Sequence, residues 1–179
     1  MSLFSRLRRF GRAKRGMAAV EFALIAPMMV FILFGAVELI DALDTDARVQ
    51  NAASSLADVI SRDTSVSDSE VSGLWSALDV LMYPSSSTNM QVCITSYSID
   101  SGGVAHAQWS EAHGGMAPCP SANVNITSSM KQPSSSLIVA EARYGYTPQL
   151  NFVFNGAFTM DHVVYRRSRL VDPIPRVSG

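Results

Sequence analysis

The sequence predicts an α+β chain: a long amino-terminal helix and a second, shorter helix precede a small antiparallel sheet of three or four strands. Three observations carry that expectation. An apolar run over residues 17–37 passes without a break signal into Val49, Ala53, Leu56 and Ile60, a stripe with steps of four, three and four. A second helical stripe follows Ser67. From Asn89 the period changes to alternation among β-branched residues.

The 179 residues leave room for one domain, or one domain and an anchor. They are 47% hydrophobic and only 16% charged, which excludes a disordered chain and points to a large core or a membrane segment. The formal charge of −1 hides an asymmetry. Six of the 14 basic residues (Arg6, Arg8, Arg9, Arg12, Lys14, Arg15) fall within residues 1–16, which hold no acid. Residues 17–179 therefore set eight cations against 15 acids, a body near −7. An acidic body excludes a nucleic-acid partner.

From Met17 to Val37 the one charge is Glu21. As a helix this run is about 31 Å long, close to the hydrocarbon thickness of a bilayer. The preceding cations hold their end in the cytoplasm and leave the carboxy-terminal body outside. Pro27 and Gly35 are tolerated better in such a helix than in a soluble one, with a kink expected at Pro27. Three readings fit the segment. A secretory signal peptide has the same start, but Ile40-Asp41-Ala42 is a poor cleavage site. A plain signal anchor leaves Glu21 unexplained, since a carboxylate costs up to about 2.5–3.5 kcal/mol at the bilayer centre and usually has a partner. A cut between Gly16 and Met17 supplies that partner: the new α-amino group lies four residues before Glu21, ready to pair with the carboxylate of a neighbouring helix.

Arg15-Gly16 followed by Met17-Ala18-Ala19-Val20-Glu21-Phe22-Ala23-Leu24-Ile25-Ala26-Pro27 resembles the prepilin-peptidase site and helix start of Tad (tight adherence, type IVc) pilus proteins. Within them it is most similar to the TadE-like minor pilins, or pseudopilins. The specific motif covers residues 12–40. The resemblance implies a precursor in the inner membrane with a periplasmic carboxy-terminal body, cut by a prepilin peptidase at Gly16 and Met17. It implies assembly through Glu21 and Phe22 with other minor and major pilins, possible entry into a cell-surface pilus, and no cofactor. The corresponding divisions are a cleaved leader at 1–16, a transmembrane and assembly helix at 17–40, its periplasmic extension at 41–63, and a body at 64–179.

The stripe to about Arg62 extends the first helix to roughly 65 Å. Ser67 and Glu70 have capping-box spacing, and Val71, Leu74, Trp75, Leu78, Leu81 and Met82 then line one face of a helix that Pro84 ends. Trp75 is expected to pack on the long helix. Strands are expected over 90–99, 104–110, 136–146 and 159–170, with a turn at Ser101-Gly102-Gly103 and a loop over 113–120. Asp172-Pro-Ile-Pro-Arg176 reads as an extended tail.

Cys93 and Cys119, in an exported body, read as a disulfide closing a loop of about 27 residues, a stabilisation of order 3 kcal/mol. His106 and His113 lie between them, but the spacing lacks the short ligand pairs of structural zinc sites, so no metal is expected. His162 reads as a surface or edge residue. Asp41, Asp44 and Asp46 lack the glycine turn of a calcium loop and read as a solvated helix face. There is no nucleophile elbow, P-loop or dinucleotide fingerprint, and hence no expectation of an enzyme. Arg166, Arg167 and Arg169 are either solvated or contacts for an acidic partner; alternation puts Arg167 and Arg169 on one face. The leading expectation is a minor pilin-like subunit supporting initiation, assembly or tip formation. The alternative is an uncleaved, anchored periplasmic binding module.

Overall fold

The computed structural model describes residues 16–122 and 124–178. Of the basic leader, only Gly16 is among them. The chain divides into two compact units: residues up to Asp41 with Pro148–Gly156, and Ala42–Thr147 with the residues from Ala157 onward.

Helix α1 runs over Met17–Ile60 with Pro27 inside it. It is long and apolar enough to cross a membrane, and only 6% of its most apolar 18-residue window is buried. From Ala42 onward its character changes. Val49, Ala53, Leu56 and Ile60 are buried, as are Ala52 and Ala57, so the stripe is wider than one residue per turn. The helix tightens as it ends: the Ser61, Arg62 and Asp63 N–H groups donate to the Ala57, Val59 and Ile60 carbonyls at 3.0–3.1 Å.

Helix α2 spans Asp68–Met82 and begins with the expected capping box. The Glu70 N–H donates to Ser67 Oγ at 3.3 Å, and the Ser67 N–H donates to Glu70 Oε2 at 2.6 Å. Val71, Leu74, Leu78 and Met82 form its buried stripe. Trp75 is half-buried and stacks on His113 of the sheet at 4.9 Å between ring centroids.

Four antiparallel strands, β1 (Met90–Ile99), β2 (Ala105–His113), β3 (Ser135–Tyr146) and β4 (Phe158–Arg167), pair in the order β2-β1-β3-β4. The second strand runs three residues past its expected end and absorbs His113 from the expected loop, because His113 pairs with Val92. The last strand stops at Arg167, so Arg169 lies outside it. Between Ser96 and Tyr97 the β1–β2 register shifts, leaving Gln108 as an extra residue on β2.

The central strands β1 and β3 are buried on both faces, which explains why their small polar residues are inside. Strand parity separates the two coverings. His162, Arg166 and His113 share one face and meet Asp46 and Ser54 of α1 and Trp75 of α2. Cys93, Tyr97, Leu137, Val139, Glu141 and Tyr165 share the other face, covered by the segment after β2 that carries Cys119, Ser121, Val124 and Ile126. Buried Thr95 shares a hydrogen bond with Ser110 at 3.0 Å, and buried Glu141 accepts the Ser121 N–H at 2.9 Å.

The tail is docked, contrary to the extended segment expected. Ile174 is fully buried, its carbonyl accepts Trp109 Nε1–H at 2.9 Å, and Val66 forms a parallel bridge with Arg176. Proline removes strand donors at 173 and 175, but Val66 N–H still finds the Pro175 carbonyl at 2.9 Å, and Val177 N–H finds Val66.

Candidate processing and assembly site

The proposed cut site and the pairing residues lie at one end of α1. Met17 is the first residue of the helix, immediately after Gly16. Glu21 is one turn further on, the i+4 neighbour of Met17, so the two share a face about 6 Å apart along the axis. Met17 (70% exposed) and Phe22 (68%) are both open to the surroundings, as is Glu21. Among the described residues no ion pair involves Glu21.

Residues 16–58 match the TadE family, whose description is TadE-like protein. The match covers 43 of the 179 residues, and over that segment the chain is similar to TadE-like proteins. The TadE-like match spans the junction at Gly16, the exposed apolar part of α1 and most of its buried part, and it stops before α2. No curated protein and no solved structure matches the chain.

The remaining expected residues are distributed over the second unit. Cys93 and Cys119 are joined, with their Cα atoms 5.6 Å apart. Both thiols are thereby consumed, which leaves the Cys₂His₂ alternative without its sulfur ligands. His106 faces Asp100 at 3.2 Å. The Val104 N–H, and after it His106, hold the Asp100 carboxyl below its usual range. His162 is on an edge strand as expected but points at α1, with Nε2 2.8 Å from Asp46 Oδ1. Within the acidic face expected at 41, 44 and 46, Asp46 thereby has a partner while its side chain stays 42% exposed.

The arginine run is split by the end of β4. Arg166 donates to Ser54 on α1, exposed Arg167 donates to Gln132, and Arg169 pairs with Asp58 at 2.6 Å. Arg167 and Arg169 therefore do not share a strand face. A fourth arginine went unnoticed in the sequence. Arg176 binds both Glu111, at 2.8 Å, and Asp68, and these carboxylates raise its already high pKa.

Sequence reasoning also missed Glu38. It is 2% exposed in the first unit, where its Oε2 accepts the N–H groups of Phe152 and Val153, both at 2.8 Å. Asn151, at φ 51°, turns the backbone so that two successive N–H groups converge on one oxygen. Gly35 makes room: a Cβ there would lie 3.3 Å from Val153 Cγ2. Two signals were available, the second carboxylate straight after the apolar run and the absence of any charge from Tyr144 to Met160.

Proposed function

We propose that the chain is a minor pilin-like (pseudopilin) subunit of a Tad, type IVc, pilus machine. It is made in the inner membrane with its carboxy-terminal body on the periplasmic side, and a prepilin peptidase cuts it between Gly16 and Met17. The observation that carries this reading is a coincidence of boundaries: the TadE-like match opens at residue 16, and an exposed apolar helix opens at Met17. The peptidase needs an accessible backbone at the cut, and a glycine there unwinds at little cost.

After the cut, the α-amino group of Met17 and the carboxylate of Glu21 are complementary charges near the head of an apolar helix. Pairing between neighbouring subunits cancels both where little water competes. Phe22 and the apolar surface to Val37 pack against the other pilins. The chain works by assembly, without catalysis, in pilus initiation, assembly or tip formation. Of the carboxy-terminal arginines, Arg167 and Arg169 keep enough exposure to meet an acidic neighbour.

The test is the intact mass and amino-terminal sequence of the protein from native membranes, with and without the prepilin peptidase. A peptidase-dependent start at Met17 is expected. A chain retaining its leader in both strains would establish the uncut, anchored module instead. Glu21→Ala is expected to leave cutting intact and reduce the number of pili; normal piliation would sink the pairing role.

A further inference from the structure

The loop between β3 and β4, Pro148–Gly156, belongs to the same compact unit as the apolar part of α1. It exposes Leu150, Phe152 and Val153, three large apolar side chains within nine residues. Phe152 lies against Phe31 and Phe34, with ring centroids 5.1 and 5.8 Å away. Phe31 is two turns before Glu38 on the helix, about 10 Å along its axis. The loop therefore reaches back alongside the end of the apolar run, not away from it. An apolar loop in water would gain nothing from that exposure, and a loop entering lipid would be penalised for every unpaired N–H. The Glu38 carboxylate removes that second penalty at Phe152 and Val153, the first of which lies against Phe31.

We infer that Pro148–Gly156 is a second membrane contact of this chain, a wedge seated in the interfacial layer of the lipid bilayer beside the carboxy-terminal end of the span. The inference rests on reading α1 as a membrane anchor. The loop's exposed Phe152 adjoins the exposed apolar surface of α1 at Phe31 and Phe34, so one lipid boundary covers both. The depth implied is that of interfacial segments, about 5–10 Å below the headgroups. Glu38 acts as the clasp that holds the loop's backbone ready for that environment.

The experiment uses the full chain, with Cys93–Cys119 oxidised, in vesicles of phosphatidylcholine and phosphatidylglycerol. Single cysteines carrying an environment-sensitive NBD label are introduced as Phe152→Cys, Leu150→Cys, Met29→Cys and Ser101→Cys. Leu150→Cys keeps the test valid if loss of the Phe152 ring disturbs the loop. The Met29 probe reports the anchor, and the Ser101 probe, in the β1–β2 turn, is the water reference. Labels at 150 and 152 are expected to show blue-shifted emission and several-fold stronger quenching by shallow nitroxide lipids than the label at 101. They should also be shielded from aqueous iodide. A lipid-buried Met29 probe with iodide-quenched loop probes overturns the inference and leaves the anchor standing. Loop probes shielded from both quenchers assign the loop to a second copy of the chain and overturn the bilayer as its occupant. A Met29 probe in water overturns the anchor itself, and the inference with it.

Discussion

Met17–Ile60 is one helix with two regimes. Before Asp41 it exposes Phe22, Leu24, Met28 and Ile32, and the one buried residue of any size is a carboxylate, Glu38. After Ala42 it buries Val49, Ala53, Leu56 and Ile60 and turns its carboxylates outward to Arg62, His162 and Arg169. The first regime suits surroundings that are themselves apolar, where the polar group is the one to be hidden. The second is the ordinary arrangement in water. The same backbone geometry serves both because α-helical hydrogen bonds are internal and indifferent to what lies outside.

Alanine substitutions on the two stretches should break or sharpen that contrast most clearly. Leu56→Ala, at a side chain 1% exposed, is expected to cost about 2–5 kcal/mol in chemical unfolding of the detergent-solubilised protein. Ile32→Ala, at 68% exposed, should stay within about 0.5 kcal/mol in the same measurement. Equal effects would mean that the amino-terminal stretch is packed against the body in solution. Reduction of Cys93–Cys119 comes next, with an expected loss of about 2–5 kcal/mol, because the bond fastens the covering segment to the central strand. An unchanged unfolding midpoint under reductant would show that the covering layer holds by its apolar contacts alone.

Ser67→Ala removes one side of the capping box and should cost about 1 kcal/mol, read as a shift in the same unfolding midpoint. The smallest effect is the acid response. Ser67's N–H, then its hydroxyl, hold Glu70 below its ordinary 4.5, and Val104's N–H holds Asp100 below its ordinary 3.8. A folded-state pKa below the unfolded one gives stability that is complete above the unfolded value and is lost as pH falls through the folded one. Unfolding stability should therefore decline as pH drops below the ordinary carboxylate range, and Glu70→Gln should flatten part of that slope. An identical slope in that variant would place the acid sensitivity elsewhere.

Much of the fold was legible because it depends on local rules. The capping box at Ser67 and Glu70 is satisfied within four residues, and the stripe Val49, Ala53, Leu56, Ile60 follows from helical period alone. The disulfide was legible from arithmetic, two cysteines in a small exported body. What escaped notice involves residues far apart in the chain. Arg176 meets Glu111 and Asp68 across 65 and 108 positions, and the proline-rich tail hid that docking because its missing donors argue against a strand. His162 reads as a surface residue until Asp46 is set opposite it, and nothing in the sequence announces that Trp75 stacks on His113 at the end of β2.

By itself the sequence determined the elements, their caps and the apolar length of α1, because each is set by neighbours within a few residues. Only the tertiary structure decided which partners the charged groups found. It brought Glu38 to the backbone of Phe152 and Val153, a separation of 114 and 115 residues. The physical reason is that an apolar pattern fixes which face is buried but not what covers it. A buried charge is tolerated only where a distant segment supplies its hydrogen bonds.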